Sequence, residues 1–406
     1  MTKEEHHSDL NPLGRTLLLP KEEMLEIRKR GKKITIGIPS DFHKVEYRTP
    51  LTPEGVELLI SYGHEIIMES NAGKASSYSD EEYRNAGAMV SENVQDIYEC
   101  DIIIRVSPFS SEEIDRLKGH QVLISNMQIS SQCAETAQKL QQKKITAIAY
   151  EYMENENGST PVVQLMSQIS GSTAITIASE YLSNSRNGKG VLLGGITGIS
   201  PAELVILGSG TAAEFAARTA LGLGVTVKVF DDNVYDIQML EEKLGRRIFT
   251  SVFYPKVIKK ALKSADAVIG AMSVNANLKF KVAEEMVEKM KKGSVIIDLN
   301  VSQGGCFETS KCTDLNNPTY IKHGVIHYCV PNIPSIVART ASIALSNILA
   351  PIIIAIGEIG GTDNYIKSSK SFRKGVYFYN GILTSNDLGE KLNMPSKDIN
   401  LLLAVY

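Results

Sequence analysis

A glycine turn, Gly208-Ser209-Gly210-Thr211-Ala212-Ala213, constrains the fold of this chain more than any other segment. It follows directly on the apolar run Leu204–Leu207, and a helical pattern begins within it. Gly208 permits a tight turn between strand and helix, and Gly210 lets the backbone approach a pyrophosphate at the helix N-terminus. Asp231 ends the next predicted strand, about 20 residues further on, where dinucleotide-binding βαβ units place an acid. The segment therefore predicts a Rossmann domain.

The acidic residue also indicates which dinucleotide such a domain binds. The Asp231 carboxylate would accept hydrogen bonds from the hydroxyls of an adenosine ribose, and its charge would repel a 2′-phosphate. Asp232 adds a second negative charge beside it. We therefore expect NAD, rather than NADP, as the cofactor.

Two series of alternating strands and helices run along the chain. The first series predicts strands at 34–38, 64–69, 102–106, 121–125 and 145–150, and the second at 204–207, 225–230, 248–253, 267–269, 295–299 and 325–330. Regular alternation of this kind indicates open, mostly parallel sheets. The six strands of the second series match a complete doubly wound nucleotide-binding domain.

Two long apolar helices, predicted at Ser167–Ser185 and Ala338–Gly360, bracket the second series and indicate crossings between two domains. The predicted fold is therefore α/β with two doubly wound domains. A Rossmann NAD-binding domain (166–338) is inserted into a flavodoxin-like substrate domain (33–165 and 339–406). Residues 1–32 precede the first periodic unit and are expected to form an N-terminal extension.

Composition narrows the function classes. The 43 Lys+Arg and 46 Asp+Glu give a net charge of −3, which offers no positive field for a nucleic-acid backbone. Five scattered cysteines without CxxC spacing are typical of reduced thiols in a cytoplasmic protein, and predict neither a metal site nor a disulfide framework.

Met1–Arg30 contains no apolar secretory segment. The most apolar run, Ile348–Gly357, is interrupted by Pro351 and is shorter than the roughly 20 residues of a membrane span, so we expect a buried helix.

A set of short motifs between about Lys33 and Asn347 carries a family resemblance. The motifs are Glu46-Tyr47-Arg48, Thr52-Pro53-Glu54-Gly55-Val56, Ala149-Tyr150-Glu151, Met166-Ser167-Gln168-Ile169-Ser170-Gly171, Gly194-Gly195-Ile196-Thr197-Gly198, the glycine turn, Gln303-Gly304-Gly305-Cys306-Phe307-Glu308 and Tyr328-Cys329-Val330-Pro331-Asn332-Ile333-Pro334. Through them the chain resembles the alanine dehydrogenase/transhydrogenase N-terminal-subunit family. The string that begins at Gln303 and the string that begins at Gly194 look more like the alanine dehydrogenase branch.

The resemblance implies NAD-dependent oxidation of a small 2-amino acid such as L-alanine to its 2-oxo acid, in a homo-oligomer that is a dimer or a hexamer. It implies that Arg48 holds the substrate carboxylate, for which a guanidinium fork is suited. Met166 would pack against the substrate, although core packing explains this methionine equally well. Asn332 would lie near both the substrate and the nicotinamide. The cofactor-binding residues that the resemblance implies are Ser167, Gly208, Ser209, Gly210, Thr211, Ala212, Asp231, Val330 and Asn332.

Three positions depart from the family pattern. Where the family has a catalytic lysine, histidine and aspartate, this chain has Ser107, Gln128 and Ser302. A glutamine amide cannot accept a proton and a serine supplies no cation, and loss of a general base costs about 10²–10⁴-fold in rate. Arg105 is a candidate replacement for the cation, and His43, Glu46 and His327 are candidate replacements for the base.

Three hypotheses remain open at this point. The chain is an NAD-dependent dehydrogenase of alanine or a related small 2-amino acid, or a dehydrogenase whose Ser107, Gln128 and Ser302 pocket binds another substrate. Alternatively, it is a paralogue that binds NAD and has lost turnover, because the family lysine and histidine are absent.

Overall fold

The computed structural model describes residues 31–41, 46–272 and 280–405. Strands and helices alternate through most of this length. The strands are β1 (Thr35–Ile38), β2 (Glu65–Glu69), β3 (Met89–Ser91), β4 (Ile102–Ile104), β5 (Val122–Ser125), β6 (Thr146–Ala149), β7 (Glu203–Leu207), β8 (Thr226–Phe230), β9 (Phe249–Ser251), β10 (Ala267–Gly270), β11 (Val295–Asp298), β12 (Thr319–Lys322), β13 (Val325–Tyr328), β14 (Val376–Tyr379) and β15 (Ile382–Leu383).

The helices of the described residues fall between these strands and after the last one. They are α1 (Pro53–Ser61), α2 (Asp80–Asn85), α3 (Val94–Tyr98), α4 (Ser111–Asp115), α5 (Ala134–Gln142), α6 (Pro161–Leu182), α7 (Thr211–Gly222), α8 (Val234–Leu244), α9 (Pro255–Ser264), α10 (Glu284–Val287), α11 (Ala338–Glu358), α12 (Thr362–Ser368), α13 (Lys370–Arg373), α14 (Asn386–Leu392) and α15 (Ile399–Val405).

The first sheet has eight strands in the order β15-β14-β6-β5-β4-β1-β2-β3. The five strands that the sequence predicted lie in the order 2-1-3-4-5, which is that of flavodoxin-like folds. The short strand β3, which was not predicted, extends one edge of this sheet in parallel. At the other edge β14 pairs antiparallel with β6, so this sheet is built from both ends of the chain.

The second sheet has seven strands in the order β12-β13-β11-β10-β7-β8-β9. Its six parallel strands are the six predicted ones, and they follow the 3-2-1-4-5-6 order of dinucleotide-binding domains. The prediction of a Rossmann domain is thus confirmed. Strand β12 was missed: it pairs antiparallel with β13 across a two-residue turn in which His323 and Gly324 both have positive φ, as type I′ hairpins require.

The local signals for helix starts are confirmed where they rest on capping residues. Ser79 with Glu82, and Ser110 with Glu113, form capping boxes at the starts of α2 and α4. Helix α6 begins six residues before the predicted Ser167, because Pro161 occupies its first turn.

Helix α11 contains the apolar run Ile348–Gly357 and matches the predicted helix Ala338–Gly360 closely. Pro351 interrupts the apolar run but lies inside the helix without ending it, so the prediction of one long helix is confirmed. Among the described residues one stretch, Ile333–Glu358, is long and apolar enough to cross a membrane by length and composition, with 56% of its most apolar window buried inside the protein. Its buried side chains recur at helical spacing, and Ser342 and Ser346 accept hydrogen bonds from the backbone N–H groups of Thr49 and Thr52. These contacts make α11 a core helix, as expected.

Candidate active site

The glycine turn connects β7 to α7 at the carboxyl end of the second sheet. Gly208 has a φ of +108°, and a Cβ at this position would overlap the carbonyl oxygen of Ala271. Only glycine fits there. At Gly210, by contrast, a Cβ would meet no atom within 4 Å, so the space above this residue is open. Thr211 and Ala212 then begin α7, whose first N–H groups lack intrahelical partners. The turn forms a cradle of the kind that binds a pyrophosphate.

Asp231 follows β8 and lies beside this cradle. Its Oδ2 accepts a hydrogen bond from the Ser209 hydroxyl at 2.7 Å, and its Oδ1 accepts one from the Asn233 backbone N–H at 3.0 Å. Each carboxylate oxygen retains a further lone pair for a ribose hydroxyl. The open cradle and the fixed carboxylate therefore fit the pyrophosphate and adenosine ribose of NAD.

Two other predicted cofactor residues occupy different positions around the second sheet. Val330 lies buried just beyond β13, and Ser167 is half-buried on α6. Four residues after Ser167, Gly171 approaches α7 so closely that a Cβ would overlap the Ala212 carbonyl oxygen. Helix α6 is thus in direct contact with the start of the helix that forms the cradle.

A buried ion pair lies at the carboxyl end of the first sheet, in the segment after β1. Arg48 Nε donates to Glu46 Oε1 and Arg48 Nη2 donates to Glu46 Oε2, both at 2.8 Å. Only 9% of Arg48 and 6% of Glu46 are exposed. Glu46 thus takes the Nε/Nη2 edge of the guanidinium group. On the Nη1/Nη2 edge, the kind of edge that binds a carboxylate with two hydrogen bonds, Nη1 contacts the Met166 sulfur.

The structure brings Met166 and Asn332 to this ion pair from distant parts of the chain. Arg48 Nη1 lies 3.4 Å from the Met166 sulfur. Asn332 Nδ2 donates to Glu46 Oε2 at 2.6 Å, and the Ser335 hydroxyl donates to Glu46 Oε1 at 3.0 Å. We call Glu46, Arg48, Met166, Asn332 and Ser335 the clamp cluster. It gathers all three predicted substrate-binding residues.

Both oxygens of Glu46 already accept hydrogen bonds from Arg48 and from Asn332 or Ser335, which leaves this carboxylate poorly suited to accept a proton from a substrate. Burial opposes ionisation of Glu46, but the charge and hydrogen bonds of Arg48 outweigh it and hold the Glu46 pKa below its usual value. Burial would likewise lower the pKa of Arg48, and the Glu46 carboxylate raises it instead. The suggestion that Glu46 replaces the family histidine is therefore wrong.

Ser107 occupies the family lysine position and is bound to Asp41, a residue that the sequence analysis missed. The Ser107 hydroxyl donates to Asp41 Oδ1, and Asp41 Oδ2 accepts the backbone N–H of Val106 at 2.9 Å and of Ser107 at 3.2 Å. Burial raises the pKa of Asp41 against the opposing effects of Arg105 and of these bonds.

Arg105 cannot serve as the replacement cation. Its side chain is fully buried, and it pairs with Glu113 at 2.6 Å and with Asp41 at 3.6 Å. Its remaining donors bind the carbonyl oxygens of Ser107 and Pro108. The guanidinium group is thus committed to the loop after β4, and this expectation is corrected.

Gln128 and Ser302, at the other two substituted positions, are both exposed. Gln128 has a φ of +42°, a left-handed conformation that is strained for this residue and is frequent at functional sites. Ser302 lies in a 3₁₀ turn after β11. Ser107, Gln128 and Ser302 are not joined to one another by any hydrogen bond in the described part of the chain.

Glu151 is the second residue that the sequence analysis missed as a site residue. Its Oε1 accepts the backbone N–H of Met127 at 2.8 Å and of Gln128 at 3.3 Å. Its Oε2 is buried and has no hydrogen-bond partner. Glu151 belongs to the Ala149-Tyr150-Glu151 motif, but only the tertiary structure places it against Gln128.

His327 and His43 are the two remaining candidates for the base that would replace the family histidine. His327 lies inside the second sheet, where Nε2 bonds the Thr309 hydroxyl and Nδ1 bonds the Val325 carbonyl. Burial lowers the pKa of His327 to about 4, so it is a structural residue and this suggestion was wrong. His43 lies outside the described residues.

The fold and the site together define an oxidoreductase of the two-domain, dinucleotide-binding α/β class. Two family descriptions match the chain: "Alanine dehydrogenase/PNT, N-terminal domain" over residues 37–170 and "Alanine dehydrogenase/PNT, C-terminal domain" over residues 174–386. The chain belongs to the alanine dehydrogenase/PNT family.

Individual relatives agree with this assignment. The chain is 35% identical to alanine dehydrogenase 2 of Staphylococcus aureus over 366 aligned residues. The aligned part is 90% of this chain and 98% of the relative. A solved L-alanine dehydrogenase superposes with a TM-score of 0.82 at 33% identity, over 88% of this chain and 98% of the other. The transhydrogenase of Sinorhizobium meliloti shares the fold, with a TM-score of 0.72 at 22% identity over 87% and 99% of the two chains.

Proposed function

We propose that this protein is an NAD-dependent dehydrogenase of L-alanine or a closely related small 2-amino acid, which it converts to the 2-oxo acid and ammonia. The clamp cluster is the observation that carries this proposal. Arg48, Met166 and Asn332 come from the loop after β1, from α6 and from the loop after β13, yet they meet at one buried ion pair, Arg48 with Glu46. Such convergence of polar groups in a buried place is typical of a substrate site.

The residues of the clamp cluster have separate roles in this proposal. The Nη1/Nη2 edge of Arg48 binds the substrate carboxylate, and Glu46 holds the guanidinium plane in place from the other edge. The Met166 side chain limits the room beside Arg48 and favours a small substrate. Asn332 connects Glu46 to the second domain.

The glycine cradle, with Asp231, would hold NAD. When bound, the nicotinamide accepts the hydride that leaves the substrate Cα. Gly208 shapes the turn, Gly210 leaves room for the pyrophosphate, and Ser209 orients the Asp231 carboxylate for the ribose.

A second candidate function is favoured by the three substituted positions. Ser107, Gln128 and Ser302 supply neither a cation nor a base, which is the pattern of a protein that binds NAD without turnover. The two candidates differ in one measurable property, the formation of NADH from an amino acid.

The test combines NADH binding, followed by its fluorescence, with NADH formation from L-alanine and other small amino acids. We expect binding and turnover. Arg48→Lys keeps a cation beside Glu46 but loses the planar fork, so it should raise the KM for the amino acid and leave NADH affinity unchanged. Arg84→Lys, an exposed arginine on α2, is the matched control. NADH binding without turnover of any amino acid would establish the second candidate.

The cofactor preference has its own test. Asp231→Ala should weaken NAD binding and reduce the difference between the affinities for NAD and NADP. The change removes both the hydrogen-bond acceptor for the ribose and the charge that repels a 2′-phosphate. Calorimetric titration of both dinucleotides measures this. Equal affinity of the unmodified protein for NAD and NADP would contradict the assignment.

A further inference from the structure

The proposed reaction needs a group that accepts and returns a proton near neutral pH. Gln128 stands at the family histidine position, and its amide cannot do so. Both oxygens of Glu46 are held by Arg48, and both ring nitrogens of His327 are hydrogen-bonded inside the second sheet. The remaining candidates are carboxylates near the carboxyl end of the first sheet.

Glu151 is a half-buried residue whose Oε2 atom is buried, and it differs from the fully buried carboxylates in its hydrogen bonds. Both oxygens of Asp41 accept hydrogen bonds, and both oxygens of Asp298 do as well. Glu151 Oε2 is the one carboxylate oxygen in the described residues that is buried without a partner. Leaving such an atom unpaired is unfavourable, and an unpaired buried oxygen at a native site calls for an explanation in function.

The position of Glu151 places this oxygen beside the missing histidine. Glu151 lies in the turn that follows β6, and its Oε1 holds the backbone N–H of Gln128 at 3.3 Å. The adjacent Tyr150 is buried, donates its hydroxyl to the Val106 carbonyl at 2.7 Å and interacts electrostatically with both Arg48 and Glu151. Tyr150 is therefore near both the clamp cluster and Glu151, at the carboxyl ends of the parallel strands, where such folds bind ligands.

The surroundings of Glu151 suit a group that titrates near neutral pH. Burial raises the pKa of Glu151 to about 7, against the lowering effect of its backbone hydrogen bonds. No lysine or arginine of the described chain contributes to this shift. The titratable groups that face Glu151 are the phenols of Tyr150, Tyr152 and, on β14, Tyr377. Burial raises the pKa of each phenol, so all three stay neutral while Glu151 titrates.

We propose that Glu151, through Oε2, is the acid–base group that replaces the family histidine; this inference rests on the proposed dehydrogenase function. Once the substrate is an iminium (C=NH2+), water adds to its carbon, the C=N π electrons go to nitrogen, and the proton released from that water forms an O–H bond with Oε2. Glu151 then returns this proton to the amine nitrogen, which regenerates the carboxylate. The C–N bond breaks with its electron pair on nitrogen, the C–O bond becomes the C=O bond of the 2-oxo acid, and the ammonia takes the hydroxyl proton and leaves as ammonium.

The experiment is a pH profile of kcat/KM for the amino acid with the highest turnover, in parallel with NADH titration. In the unmodified protein kcat/KM should rise through about pH 7, as Glu151 loses its proton. Glu151→Gln should lower kcat/KM by about 10²–10⁴-fold and remove this rise, with NADH affinity unchanged. Glu151→Asp should keep the pH dependence at a reduced rate, and the exposed Glu156→Gln should change nothing.

The outcomes separate this inference from the proposed function. Turnover by the unmodified protein together with an unaltered rate and pH profile in Glu151→Gln would overturn the role of Glu151 and leave the dehydrogenase assignment in place. NADH binding without turnover would overturn both. A Gln128→His background adds an independent check, because the cost of Glu151→Gln should shrink when a second base is present.

Discussion

At the residue scale, the glycines of the second domain differ in what surrounds them. A Cβ at Gly208 would overlap backbone, whereas at Gly210 and at Gly222 it would meet nothing within 4 Å. Neither Gly210 nor Gly222 has a positive φ. The two residues lie at opposite ends of α7, so they differ mainly in their distance from the cradle.

This pair gives a matched test of the cofactor site. Gly210→Val should abolish NADH binding while the free energy of unfolding changes little, because the added side chain fills only the space where a pyrophosphate would lie. Fluorescence titration and urea unfolding measure the two effects. Gly222→Val is the control and should bind NADH normally; normal binding by Gly210→Val would show that the dinucleotide lies elsewhere.

At the element scale, helix α6 connects the two halves of the site. Met166 near its start contacts Arg48 at 3.4 Å, and Gly171 five residues later packs its backbone directly against α7. The distance between clamp cluster and cradle therefore depends on the close packing of these two helices.

Gly171→Ala tests this dependence. The new Cβ would overlap the Ala212 carbonyl oxygen, so α6 and α7 must separate. We expect the free energy of unfolding to fall by about 1–3 kcal/mol, as in overpacked cores, and NADH affinity to fall with it. Gly222→Ala, also in a helix but without neighbours, should be neutral or stabilising by up to about 1 kcal/mol. An unchanged urea midpoint and NADH affinity in Gly171→Ala would contradict the role given to this contact.

At the scale of the whole molecule, the site depends on residues from both sheets. Glu46 of the first domain binds Asn332 and Ser335, which follow the last strand of the second sheet. Ser107 and Gln128 follow strands of the first sheet, and Ser302 follows a strand of the second. Activity is therefore a property of the two domains in their mutual arrangement.

Restoring the family residues tests this arrangement. Ser107→Lys combined with Gln128→His should raise alanine turnover by at least about 10²-fold, because the pair supplies a cation and a second titratable base. The new lysine would lie beside the buried Asp41 carboxylate, which keeps it charged. Each change alone should raise alanine turnover less, since the two residues act together.

NADH formation from L-alanine measures the gain in turnover, and Arg48→Lys in the restored background should reduce that gain. No gain with NADH binding intact would indicate a pocket shaped for a different ligand.

Most of the elements and much of the topology could be predicted from the sequence. Strand and helix periodicity, capping residues and the glycine turn are local signals, so the six parallel strands of the second sheet and the NAD cradle could be predicted. The motif resemblance also singled out Arg48, Met166 and Asn332, which the structure brings together. The short strands β3, β12, β14 and β15 were missed, because two to four residues at or next to a sheet edge carry too weak a pattern.

The polar groups that meet in the site could be recognised only in the folded chain. The partners of Glu46, Asp41 and Glu151 come from other loops, and a sequence does not show which loops converge. The suggestions that Glu46, His327 and Arg105 replace lost catalytic residues failed because each is already bound in the folded chain. Glu151 stands out for the opposite reason, since folding buries its carboxylate and leaves Oε2 without a partner. Burial and hydrogen bonding set the proton affinity of these groups, and both exist only once distant segments have packed together.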